Sequence, residues 1–432
     1  MLLKNSILLS QSEWIYVDSP TTKKIWRIHC LDSLNCWAAG DSGLIIHTST
    51  GGTTWEIQDA GIYNNILDIF FLNNNLGWAV AIKFDEPSGS FILKTTNGGV
   101  SWTSRLFDSL NVYFFTVNFL DSLTGFLAGA PSYVFYRTSD GGLTWNTVQF
   151  DSSIFSGLPI IDLEFYSKQY GFACGGQRDV VGVIWKTTDY GFSWSSYDLG
   201  PEPLTELFVL DSLNIFGVGG DYEYGAGVAR TTNAGISWIY FEPGVFGVAT
   251  GLSFRTRDEG WACITGEGKF LVTTNLGMTW EIRLAPDLVG INDITFTDSL
   301  HGLAVGDGGV ILKYNPFPVN VNEGGTPLPN ENILLQNYPN PFNPSTKISW
   351  QSAVSSWQTL KIYDVLGNEI VTLVDEYKPA GNYEVEFNTV ETHHGVSLPS
   401  GISAKGGYAS GVYFYRLKAG DYVETKKMLL LR

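Results

Sequence analysis

Carboxylates and aromatic rings gather in a few short segments of this 432-residue chain. Asp85 adjoins Glu86, Arg178 adjoins Asp179, and Asp221, Tyr222, Glu223 and Tyr224 run in succession, with Asp41, Glu267 and Asp307 in shorter stretches of the same kind. Two carboxylates across a cleft can act as acid and base on a glycosidic bond, whereas carboxylates beside Tyr and Phe84 can line a carbohydrate or peptide site. Solvated acidic loops account for any one pair more simply. A second acidic set recurs at one repeated position, Asp68, Asp162, Glu206 and Asp293, replaced by Arg27, Thr116 and Gly251 in the other copies. That repetition argues for structural hydrogen bonding; a cation-attracting channel mouth is the functional alternative.

Other candidate chemistry is sparse. Cys174 and Cys263 occupy the position of Ala39 and Ala128, where a small apolar residue packs, so buried thiols are expected. Cys30 and Cys36 flank one hairpin turn, which hints at an oxidising compartment and leaves their pairing open. The five histidines have no ligand spacing, and His393-His394 falls in a loop insertion, so neither a metal nor a cofactor is expected.

The elements that must hold these residues are announced by a repeat. Thr-x-(Asp/Asn)-x-Gly-x-(Thr/Ser)-Trp recurs with its polar residue at Asn97, Asp140, Asp189, Asn233 and Asn275, and a first copy has Thr50 there. The motif tryptophans are Trp55, Trp102, Trp145, Trp194, Trp238 and Trp280; counting Trp14, they recur every 41 to 49 residues. Short side-chain oxygens and Gly build a tight turn, and Trp opens the next strand with a large packing surface. Thr50 puts the hydrogen bonding of the first turn in question. Upstream of each motif, stretches such as Ile291 to Gly306 read as hairpins with both faces buried. Each unit then has four strands, and such a period in an all-β pattern means propeller blades.

A seven-bladed propeller over residues 12–314 is therefore expected, closed where Ser12 to Asp18 supplies the missing outer strand of the last blade. Its 2–3 and 4–1 loops form the face that carries the candidate carboxylates. Residues 315–332, with four Pro and several Asn, read as a linker. Residues 333–432 read as a small immunoglobulin-like β-sandwich, with alternating strands at Leu360 to Tyr363 and Val412 to Leu417. Thr389 to Tyr408 is an insertion.

Net charge is −17, of which residues 331–432 carry only −1. An acidic surface of that kind repels phosphate backbones, so nucleic acid is excluded as a partner. No segment reaches the ~20 apolar residues of a membrane helix.

The motif resembles the Asp-box of sialidases and related proteins, and the propeller resembles the photosystem II assembly and stability factor group. That group binds a membrane-protein precursor through basic residues, and this chain has no matching arginine cluster; nor do its arginines recur as a sialidase triad would require. Residues Leu334 to Ile348, Leu360 to Gly367 and Ala409 to Leu417 resemble the C-terminal sorting domain of type IX secretion in Bacteroidota. The resemblance implies type IX machinery as partner of residues 333–432 and passage through the periplasm to the cell surface or medium. Met1 to Gln11 has only a scrap of apolar sequence behind Lys4, so a signal peptide is expected to be absent or truncated here. A non-enzymatic binding propeller for a surface protein or glycan is the expected function. An extracellular glycoside hydrolase or lyase acting on polysaccharide is the alternative.

Overall fold

The computed structural model describes residues 9–10, 13–151, 153, 155–316, 320–321, 331–354, 356–378, 381–389, 408–420 and 422–431. His393, His394 and most of segments 1–11, 315–332 and 389–408 lie outside the described residues. Strands and three short 3-10 turns make up the regular structure. Among the described residues no helix is long and apolar enough to cross a membrane.

The chain divides into two compact units, one of Trp14–Asn315 and one of Pro316–Arg432 with Met1–Glu13. Within the first, the described residues form seven antiparallel sheets of four strands, one of them extended by a fifth. Their inner strands are Ile25–Cys30, Asn65–Phe71, Tyr113–Phe119, Ile160–Phe165, Leu204–Val209, Ala249–Phe254 and Ile291–Phe296, which number the blades one to seven. Each inner strand contacts the next, and Ile291–Phe296 meets Ile25–Cys30. Trp14–Tyr16 pairs antiparallel with Ile311–Tyr314, so the seventh sheet takes its outer strand from the beginning of the unit. Trp14 is then sealed among Trp261, Phe270 and Tyr314, with ring centroids 5.4–5.7 Å away.

Burial runs between blades. Phe126 and Phe135 of blade three pack in one cluster with Leu163, Val183, Trp185 and Trp194 of blade four. The second strands carry the densest apolar run, because both of their faces meet a neighbouring sheet; every residue of Cys36–Gly40 and Gly302–Gly306 is buried.

The repeated turns show why the motif has its composition. In all six, the leading Thr hydroxyl accepts the N–H of the Gly four residues on, at 2.9–3.1 Å. That Gly has positive φ throughout, as at Gly99 (88°), which other residues reach only with strain. The Asp or Asn oxygen then accepts the N–H of the following Thr or Ser at 2.9–3.0 Å. Thr50 does the same with its hydroxyl, accepting Thr54 N–H at 2.9 Å. The first turn therefore keeps its hydrogen bonds, contrary to the expectation from composition, because an oxygen at that spot suffices and charge is not required. Trp55 and Trp194 are buried, and the other four motif tryptophans are half-buried.

In the second unit, a three-stranded and a four-stranded sheet enclose one core. Leu334, Ile348, Trp350 and Phe387 come from the first sheet, and Leu360, Ile362, Tyr415, Leu417 and Met428 from the second. The Tyr415 hydroxyl donates to Leu335 O at 2.6 Å and accepts Asn337 N–H at 2.8 Å, tying the Asn/Pro-rich entry to the later strand.

Candidate functional site

Every inner strand has one residue more than its partner strand requires: the pairing register slips at Trp26, Leu67, Phe115, Ile161, Thr205, Thr250 and Asn292. Such a bulge re-aims the side chains around it. The seven bulged residues line a cavity of about 330 Å³ at the end of the central channel where the inner strands begin, on the face of the 2–3 and 4–1 loops. The next residue of each strand points deeper. These are Arg27, Asp68, Thr116, Asp162, Glu206, Gly251 and Asp293, and with the residues that follow they line a second chamber of about 460 Å³, except at blade six, where Gly251 has no side chain to contribute.

Most of the chamber's carboxylates serve the backbone. An inner strand is the edge of its sheet, so half of its N–H groups lack a ladder partner. Asp68 accepts Ile69 N–H and, across the blade gap, Val117 N–H at 2.8 Å. Asp162 accepts Leu207 N–H and Asp293 accepts Ile28 N–H, each at 2.8 Å. Two positions further along, Glu164 accepts Val209 N–H at 2.7 Å and Ser253 accepts Phe296 N–H at 2.9 Å. Gly251 breaks the acidic pattern because the backbone of Asp293 passes there; a Cβ would meet Asp293 Cα at 2.8 Å.

Arg27 compensates the acids. Its guanidinium donates to Glu206, across the channel on blade five, and to Thr250 O at 3.1 Å, with Asp293 4.0 Å away. Burial opposes the cation, but Glu206, Asp293, Asp162 and Asp68 outweigh burial and hold it protonated. Burial pushes Asp68 and Asp293 up to about 6 and Glu164 to about 8. His29, packed on Phe70, is held down to about 4 by burial.

The loop residues are arranged differently. Asp85 and Glu86 are exposed on the 2–3 loop of blade two. Arg178 and Asp179 are exposed on that of blade four, with Asp179 N–H donating to the Glu202 carboxylate at 3.3 Å. Asp221 ends a strand of blade five and is only 3% exposed. It does not stand free in a solvated loop as the run of polar residues implies, since its Oδ1 accepts Glu223 N–H at 2.8 Å and Tyr224 N–H at 2.7 Å. The fold brings Asp179, Asp221 and Glu223 together, with ligand oxygens within 4.8 Å of one another, the only described carboxylate group with the spacing a divalent cation needs. Tyr222 and Tyr224 are exposed beside it, Tyr222 packing 5.8 Å from Phe246. Asp307, on blade seven, is not part of the group: it holds Lys24 at 2.9 Å and Asn292 at 3.1 Å.

Comparison with known proteins fits this architecture. The family described as Photosynthesis system II assembly factor YCF48 matches residues 55–197. The propeller resembles the Ycf48 group. The Photosystem II assembly lipoprotein Ycf48 of Synechococcus sp. (strain CC9902) is 26% identical over 151 residues, 34% of this chain and 41% of that protein, so the match spans less than half of that relative. The chloroplastic Photosystem II stability/assembly factor HCF136 of Arabidopsis thaliana is 23% identical over 305 residues, 54% of this chain and 75% of that protein. Among solved structures, YCF48 bound to D1 peptide superposes with a TM-score of 0.56 at 21% identity, covering 71% of this chain and 98% of that one. The GH74 xyloglucanase from Xanthomonas campestris gives 0.57 at 13% identity, over 79% and 60%. At such identities the structural likenesses show the propeller fold alone.

The bulge ring escaped sequence reading. Its members share no chemistry, and their one signal is that each precedes the repeated acidic position.

Proposed function

We infer that the propeller is a non-enzymatic binding module for a protein partner, carried to the cell surface or medium by residues 333–432. One observation carries the binding half: the buried chamber acids Asp68, Asp162 and Glu164 are occupied by backbone N–H groups, and Glu202 on the loop face, also raised by burial, is occupied by Asp179 N–H, while that face offers an apolar mouth ringed by exposed Tyr and Phe. A hydrolase needs its proton donor and its partner carboxylate facing one open cleft; here Glu164, the acid held near 8, accepts Val209 N–H in the chamber. A Ycf48 structure that holds a peptide supports a protein ligand over a glycan.

The export half rests on the three sorting-type segments, which in this chain share one core and are tied together through Tyr415. A host with a working type IX system is given the full gene behind a signal peptide, and a version stopped after Asn332. Mass spectrometry of the medium should find the first, shortened to end within or near residues 315–332, and not the second. Export of both alike, or an exported chain still ending at Arg432, contradicts the assignment.

A further inference from the structure

The mouth of the channel has an unequal wall. Blades one to four contribute Trp26, Leu67, Phe115 and Ile161, and blades five to seven contribute Thr205, Thr250 and Asn292. The polar half offers few protons, because its donors are engaged within the protein. Thr205 donates to backbone carbonyls of Val218 and Ala249. Thr250 donates to Asn292 O at 2.8 Å and pairs with Thr265 at 2.6 Å. The Asn292 amide donates to Ile25 O at 2.9 Å and to Asp307 at 3.1 Å, and the Trp26 indole donates to Asp41 at 2.7 Å. Asn292 Oδ1, in a residue only 2% exposed, has no donor among the described residues. At the floor, Arg27 is outnumbered by carboxylates. The mouth therefore presents apolar surface and acceptors, a poor setting for an anion, which brings only acceptors.

The rim has the same sense. Asp85, Glu86, Asp179 and Glu223 are exposed on it; of the cations on the same face, Lys24 is paired with Asp307, Lys23 and Lys83 are turned to the Ser42 and Asp85 carbonyls, and the exposed Arg178 lies near Glu202, so carboxylates predominate. Tyr222 and Tyr224 stand exposed beside Glu223 and Asp179, an aromatic and acidic pairing that suits an ammonium or guanidinium group.

We propose that this mouth is the docking site for a cationic polypeptide segment that seats one bulky apolar side chain among Trp26, Leu67, Phe115 and Ile161 and lays Lys or Arg side chains against the acidic rim. The assignment rests on the binding-module reading and adds the polarity of the partner. Charge complementarity sets the on-rate and selects the partner's sign, and it weakens with salt; the buried apolar side chain supplies the anchor.

The probe is a short capped peptide of lysines flanking one phenylalanine, titrated against the full chain by calorimetry, beside versions with glutamate for lysine and with glycine for phenylalanine. The lysine–phenylalanine peptide should bind, and each replacement should weaken it by about tenfold or more. Leu67→Lys places a cation in the mouth and should abolish binding. Because that site is half-buried, Asp85→Lys with Glu223→Lys on the exposed rim is the second variant, expected to weaken binding about tenfold with unchanged melting. The same charge change at Glu56 and Glu281 on outer strands should leave affinity unaltered. Equal binding of the glutamate peptide, indifference to the phenylalanine, no binding of the lysine–phenylalanine peptide, or equal losses from the rim and outer-strand variants would overturn the inference. A parallel assay on xyloglucan separates the two levels: release of reducing sugar overturns the binding-module reading itself, whereas retention of the glutamate peptide or a glycan without turnover overturns only the cationic partner.

Discussion

Asp68 in the channel and Glu223 on the loop face are both carboxylates of one acidic propeller, but their surroundings give them opposite work. Asp68 holds two backbone N–H groups, one on the next blade, and burial raises its pKa to about 6. Glu223 is exposed, and its side chain faces solvent next to Asp179. The channel set joins sheets whose inner edges would otherwise carry unpaired N–H groups; the exposed loop set, Asp85, Glu86, Asp179 and Glu223, is open to a partner. Acidity alone therefore does not mark a site, and what each oxygen already accepts decides which carboxylates remain available.

The comparison breaks most visibly at Arg27. Replacing it with Met leaves Glu206, Asp293, Asp162 and Asp68 without their shared cation, an uncompensated buried charge that typically costs about 3–5 kcal/mol. The loss should depend on pH. Asp68 and Asp293 titrate near 6 and Glu164 near 8 when folded, against ~4 when unfolded. The folded chain thus holds these protons more tightly. Their contribution is most favourable below about pH 4 and is lost as pH rises through about 6 and then 8. Arg27 opposes the rise at Asp68 and Asp293, so Arg27→Met should melt further below the parent at about pH 8 than at about pH 5. Equal deficits at both pH values would mean that the guanidinium acts by packing and not by charge.

A smaller effect sharpens the comparison within one loop. Asp221→Ala removes the acceptor for Glu223 and Tyr224 N–H and should cost about 1–2 kcal/mol. Glu223→Ala, two residues away, should change stability by less than about 0.5 kcal/mol. Denaturant unfolding of the two single variants checks this, and equal costs would place Asp221 with the exposed carboxylates.

Much of this was readable from residues alone, for a physical reason. The repeated motif forms a local turn, so Thr, Asx, Gly and Trp at fixed spacing carry nearly all the information that forms it, and Asp68, Asp162 and Asp293 betray a common role by recurring at one position, where Glu206 instead takes Arg27. Thr50 misled because composition suggests a charge where the turn needs only an oxygen. Asp221 misled because its neighbours are polar and exposed while its own side chain folds back on their amides. The partnership of Arg27 with Glu206 spans 179 positions and exists only once the ring closes. The mouth was invisible for another reason: a bulge shifts side-chain alternation by one residue, so Trp26, Leu67, Phe115 and Ile161 face the channel although strict alternation places them elsewhere.

The division of labour between the two acidic sets is tested most directly by measuring melting temperature and affinity for the lysine–phenylalanine peptide on two double variants. Asp68→Ala with Asp293→Ala strips N–H acceptors from the channel at about 1–3 kcal/mol for each group left unpaired, so melting should fall clearly while the folded fraction binds the peptide as the parent does. Asp85→Ala with Glu223→Ala should melt with the parent and bind several-fold more weakly. A channel pair that loses affinity at unchanged melting, or a loop pair that unfolds with affinity intact, would contradict the assignment of structure to the channel and recognition to the loops.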